Sequence, residues 1–110
     1  MPKILFIQPT QYAADGNLCK QNKINLPSLS FPLLAAYTPD TWEIELNIEV
    51  VDEINYESEA DIVAISSMGI STLRGFEIGE IFKKKGKIVV MGGYMVSIAT
   101  DIGKNYVDTI

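Results

Sequence analysis

The sequence contains no histidine and a single cysteine, Cys19, among its 110 residues. The first absence removes Ser-His-Asp and Cys-His nucleophile arrangements and the usual zinc-ligand sets. The second excludes an internal disulfide and any cysteine-held iron–sulfur cluster, and fits a reducing, cytoplasmic setting. No apolar run approaches the roughly 18 residues of a membrane span. The start, Met1-Pro2-Lys3, lacks the length and cleavage site of a secretory signal. Basic residues are few, and the net charge of −5 argues against nucleic-acid partners, which require a basic face. The cluster Lys83-Lys84-Lys85-Gly86-Lys87 reads as the solvated, dipole-matched end of a helix. The composition allows one domain, residues 1–110, with 47% apolar residues for its core.

What is present is a series of short apolar runs that stop at small residues. Ile4-Leu5-Phe6-Ile7 is apolar on both faces and predicts a central strand ended by Pro9. Residues 9–30 are polar and irregular, with Asp15-Gly16-Asn17 as a turn signal. Phe31 to Tyr37 predicts a short helix, capped by Ser30 and carrying Pro32 in its first turn. From Trp42 to Val51, glutamates and Asn47 alternate with Ile44, Leu46, Ile48 and Val50, which predicts a half-exposed strand near a sheet edge.

Ile62 to Ile65 and Lys87 to Met91 predict buried parallel strands, followed by Ser66-Ser67-Met68 and Gly92-Gly93-Tyr94. Between them, Ser71 to Lys85 predicts a helix with Ile70, Leu73, Ile78, Ile81 and Phe82 inward, capped by Ser71 or Thr72 and closed by Gly86. A further helix over 95–102 and a fifth strand over 106–110 complete the pattern.

Alternating strands and helices imply an α/β fold: a three-layer, flavodoxin-like or Rossmann-like domain with five parallel strands in the order 2-1-3-4-5, cut short at its carboxyl end. Ligands of such sheets bind outside the carboxyl ends of the strands, at the switch point between strands one and three. The expected site is Gln8, Pro9 and Thr10 after the first strand, Ser66, Ser67 and Met68 after the third, and Gly92, Gly93 and Tyr94 after the fourth. Backbone amides there suit an anion such as phosphate. The dinucleotide fingerprint and the Walker loop are both missing, and the strand ends carry too few acid–base groups for a stand-alone enzyme. No catalytic or metal-ligating residue is assigned.

Five segments carry a family resemblance in order: Lys3 to Pro9, Leu29 to Tyr37, Ile48 to Asp52, Asp61 to Met68, and Ile88 to Gly93. Together they resemble the amino-terminal cobalamin-binding domain of radical S-adenosylmethionine enzymes. The resemblance implies a cobalamin nucleotide tail in the cleft, with Ser66 reaching its benzimidazole and Gly92-Gly93 letting it pass. Ser66-Ser67-Met68 matches the family's Ser-x-Leu with Met in the Leu place.

The family's classical Asp-x-His-x-x-Gly is absent, Pro9-Thr10-Gln11-Tyr12 standing there instead. The implied cobalamin therefore lacks a protein histidine ligand, as in many radical enzymes of this group. S-adenosylmethionine and a 4Fe-4S cluster would belong to a downstream radical domain, whose three cysteines would lie past residue 110. On this reading the chain is a cofactor-binding fragment of a methyl-transferring or radical-rearranging enzyme. The alternative is a structural or partner-recognition domain of the same fold. Loss of a closing helix also predicts self-association through apolar surface near Val89 and Val107.

Overall fold

The computed structural model describes residues 2–20, 30–51, 53–67, 71–93 and 107–108. In chain order they form β1 (Lys3–Gln8), α1 (Ser30–Tyr37), β2 (Glu43–Ile48), β3 (Ile62–Ser66), α2 (Thr72–Lys84) and β4 (Ile88–Gly92). Among them is one parallel sheet of four strands, order β2-β1-β3-β4. The apolar run of β1 is central as expected, and the alternating β2 is an edge. The switch point falls between β1 and β3.

The helix expected over 95–102 and most of the fifth strand lie outside the described residues. Val107 is buried, and Asp108 exchanges two hydrogen bonds with Val89: its amide donates to the Val89 carbonyl at 2.9 Å, and its carboxylate accepts from the Val89 amide at 2.8 Å. This places 107–108 beside β4, where a fifth strand is expected.

Strand register sorts the side chains into rows. On one face stand Leu5, Val63 and Val89, then Ile7, Ile65 and Met91, all buried at 2% exposure or less. Helix α2 packs on this face through Phe76, Ile78 and Phe82 together with Gly75 and Gly79. Gly75 brings the helix close. A Cβ at Gly75 would come within 2.6 Å of Met91 Cε and 3.4 Å of Pro9 Cγ. The expected inward positions Leu73 and Ile81 instead face outward, at 64% and 37% exposure, because Gly75 takes the contact. Ser71 occupies the cap position without a side-chain cap hydrogen bond, whereas Gly86, at φ +83, closes the helix as expected.

The edge strand β2 is shorter than the expected 42–51. It ends at Ile48, and its polar side is the one turned inward toward the α2 face. Asn47 and Glu49 are buried, while Ile44 and Leu46 are 42% and 45% exposed. Glu45 accepts hydrogen bonds from Asn55 at 2.9 Å and Ser58 at 2.8 Å, and pairs with Lys3 at 3.0 Å. The surface expected to be exposed near Val89 and Val107 is core, since both are buried. Exposed apolar surface lies on the other face of the sheet, at Ile44, Leu46 and Ile88.

Glu49 is 2% exposed and is gripped by Arg74, whose Nε and Nη2 donate to its two carboxylate oxygens at 2.6 to 3.2 Å. The Thr10 amide donates to Glu49 Oε1 at 3.1 Å, and the Glu49 amide donates to the Gln8 carbonyl at 3.0 Å. Breaking such a pair strands a buried charge. Glu49→Ala is expected to lower unfolding free energy by about 3–5 kcal/mol in urea titrations, and Glu49→Leu combined with Arg74→Met by less than either single change.

Glu45 carries a pH dependence. Desolvation pushes its pKa up, but hydrogen bonds from Asn55, Lys3 and Ser58 outweigh it and hold the carboxyl below its ordinary value of 4.5. A depressed carboxylate stabilises the fold above the unfolded-state pKa, and that contribution is lost as pH falls through the folded-state value. Stability of the chain is expected to fall more steeply than that of Glu45→Gln between about pH 5 and pH 3, as read by unfolding midpoints.

Candidate functional site

The face of the sheet opposite α2 bears three rows. Ile44, Ile4, Ile62 and Ile88 form the first, and Leu46, Phe6, Ala64 and Val90 the second. The third holds Ile48, Gln8, Ser66 and Gly92, so side chains shrink toward the carboxyl ends of β3 and β4. Helix α1 stands over this face, with Thr38 closing it by accepting no further turn: its amide donates to Ala35 O at 3.1 Å and its hydroxyl to Leu34 O at 2.8 Å. Between sheet and helix lies a cavity of about 740 Å³. Ile4, Phe6, Ala64, Val90, Ser66 and Gly92 line its sheet side, and Leu34, Tyr37, Thr38, Pro39 and Trp42 its other wall.

The two glycines at the end of β4 have different jobs. A Cβ at Gly92 would meet no atom within 4 Å, so any side chain there would enter open space at the cavity. Gly93 also lines the cavity, but its φ is +130 and a Cβ there would lie 2.0 Å from the Ser67 carbonyl oxygen. The Ser67 amide in turn donates to Gly92 O at 3.1 Å. Positive φ and close approach thus belong to Gly93, and open space to Gly92.

The structure brings Ser66, Gly92 and Gly93 together at the cavity. Pro9 packs against α2 beside Gly75, and Thr10 is committed to Glu49 through its amide and to Cys19 O through its hydroxyl at 2.7 Å. Ser67 is 1% exposed; among the described residues its hydroxyl and Gln8 Oε1 are buried without hydrogen-bond partners, as is Thr72 Oγ1 in the first turn of α2. Gln8 ends β1, Ser67 follows β3 and Thr72 opens α2. Met68 and Tyr94 lie outside the described residues.

Residues 9–20, expected to be irregular, form a small ordered loop. The Cys19 amide donates to Gln11 O at 2.8 Å, Tyr12 bridges Leu18, and the Ala13 amide donates to Asn17 O at 2.7 Å around Gly16. The loop is pinned to α2 where the Tyr12 hydroxyl donates to Glu77 Oε2 at 2.6 Å, a bond that raises the tyrosine pKa. Phe6, Ala64, Val90 and the wall from α1 and Trp42 were not singled out from the sequence. Their signal is the period of two along β1, β3 and β4, which needs the register to be read across strands.

The fold and its cavity define an α/β domain with a ligand-sized, largely apolar cleft at the strand ends. Over 90 residues, 81% of its length, the chain is 36% identical to the bacteriochlorophyllide d C-8(2)-methyltransferase of Chlorobaculum tepidum. The match spans 20% of that protein, so the chain corresponds to about a fifth of its relative. No protein-family model matches the chain, and no solved structure matches it.

Gly93→Ala is expected to destabilise the fold measurably, by more than the ~1 kcal/mol usual for removing a glycine from positive φ, because the Ser67 carbonyl must also move. Gly92→Ala is expected to leave the unfolding free energy within about 0.5 kcal/mol of the parent. Paired denaturant titrations check both.

Proposed function

We propose that this chain is a cofactor-binding module that seats the nucleotide tail of cobalamin in the cavity beside α1, in the service of a methyl-transferring enzyme. The observation that carries the reading is the third sheet row. It sets a half-buried Ser66, with no hydrogen bond to its hydroxyl among the described residues, beside Gly92, whose missing side chain leaves the mouth open. A volume of about 740 Å³ lies within the range of small-molecule sites, roughly 300–1,000 Å³, and accommodates a flat base with its ribose. The residues present therefore fit the group.

Each element then has a part. Phe6, Ala64 and Val90 supply apolar contact to a ring, and the Ser66 hydroxyl can donate to a ring nitrogen. Gly92 lets the tail pass against backbone. Cobalamin, when bound, supplies one-carbon transfer or radical chemistry. The relative's name, a methyltransferase, supports the first. With no histidine in the sequence, no protein imidazole is available below the cobalt. S-adenosylmethionine and an iron–sulfur cluster belong, on this reading, to a further domain that the module serves.

Incubation with hydroxocobalamin followed by gel filtration is expected to give a coeluting corrinoid whose visible spectrum lacks imidazole ligation. Ser66→Ala is expected to weaken binding by about 1 kcal/mol, the net worth of one neutral hydrogen bond. Gly92→Val is expected to abolish binding while leaving the fold intact by circular dichroism. Equal affinity for the parent and Gly92→Val would place the corrinoid elsewhere. Absence of retention in every case would favour a structural or partner-recognition domain of the same fold.

A further inference from the structure

Residues 10–19 form a hairpin that closes on itself. The Cys19 amide donates to Gln11 O at 2.8 Å, the Thr10 hydroxyl donates to Cys19 O at 2.7 Å, and Tyr12 and Leu18 pair across the two arms. At the tip the Ala13 amide donates to Asn17 O at 2.7 Å, the Asn17 amide donates to Asp15 Oδ1 at 3.0 Å, and Gly16 takes a φ of +85. Ala13 to Asn17 are exposed. Among the described residues, no backbone-to-backbone hydrogen bond joins this hairpin to another element. Side chains fasten it instead, at two places of different strength.

At the base, the Thr10 amide donates to the buried carboxylate of Glu49, and Lys20, which follows the hairpin, donates to Glu49 O. Farther out, the Tyr12 hydroxyl donates to Glu77 Oε2 on α2 at 2.6 Å, and Tyr12 is 41% exposed. The base is shielded from water and held by a carboxylate that Arg74 already fixes. The outer bond competes with water, so it contributes less net and opens first. Arg74 Nη1 lies 3.5 Å from the same Glu77 Oε2, which keeps the acceptor in place on the helix when the tyrosine leaves. The bonds inside the hairpin need not break for that to happen.

We infer that residues 10–19 are a hinged flap, latched on α2 by Tyr12 and Glu77, which opens as one body while its base stays bound to Glu49. The hinge lies two residues past Gln8, whose sheet row also holds Ser66 and Gly92. The flap therefore forms a movable border at the carboxyl ends of the strands, and the latch sets how often that border is open, whatever the cavity holds.

Nitrogen-15 relaxation dispersion and amide hydrogen exchange on the chain test this. In Tyr12→Phe, which keeps the ring and removes the hydroxyl, the open population is expected to rise about fivefold, the worth of one hydrogen bond, with one exchange rate shared across residues 11–18. The Ala13 and Cys19 amides, bonded within the hairpin, are expected to keep their parental protection. Glu77→Ala is expected to match Tyr12→Phe, while Glu77→Gln, which still offers an acceptor oxygen, stays within about twofold of the parent. An open population unchanged in Tyr12→Phe and Glu77→Ala would overturn the inference, since no latch would then exist. Rates that differ from residue to residue, or protection lost at Ala13 and Cys19, would overturn it too, because the segment would be fraying and not hinging.

Discussion

A buried carboxylate forked by an arginine organises this domain. Glu49 follows the edge strand β2, Arg74 lies in the first turns of α2, and the Thr10 amide that joins them follows β1. Desolvating two charges is costly unless their hydrogen-bonding capacity is filled, and here it is filled from three segments at once. The consequence reaches across the sheet. Strand side chains alternate, so turning Asn47 and Glu49 toward α2 sends Ile44, Leu46 and Ile48 to the opposite side. The polar network on one face thereby turns the apolar side chains of the β2 edge to the other.

Those two faces then diverge in use. The α2 face is closed by contact, with Gly75 letting the helix settle onto Ile65 and Met91. Dense packing there leaves no space for a ligand. Among the described residues the opposite face is covered by the eight-residue α1 with Pro39 and Trp42, and the space beneath them is the cavity. Its open end coincides with the carboxyl ends of β3 and β4, where backbone of an open α/β sheet is free to meet a ligand. A rigid sheet supported from behind and left roomy in front is a suitable frame for a bound group.

Much of this was legible in the sequence. The apolar runs at Ile4 to Ile7, Ile62 to Ile65 and Ile88 to Met91 identify parallel strands because nothing else is short, apolar on both faces and ended by small residues. Strand order followed from placing the alternating segment at the edge. What alternation alone does not reveal is which side of an edge strand faces the core. For β2 the inward side is the polar one, because Arg74 and Lys3, far away in sequence, pair with Glu49 and Glu45. The inward face of α2 was misjudged for a related reason: hydropathy weights Leu73 and Ile81, whereas close approach is won by glycine. The order in residues 11–19 was missed because its ties run to Glu49 and Glu77.

The pair Gly92-Gly93 shows most directly how one motif divides between folding and binding. Gly93 presses its backbone on the Ser67 carbonyl, and the Ser67 amide returns a hydrogen bond to Gly92 O. Together these contacts extend the β3–β4 ladder one residue past the strands and fix Ser66 opposite Gly92. The hydroxyl of Ser66 and the open space at Gly92 are useful only in that register, since a slip of one residue would send both to the α2 face. The second glycine therefore acts on the cavity through its backbone: it holds Ser66 and Gly92 in register there. A motif read as two equivalent glycines is one structural residue and one open position.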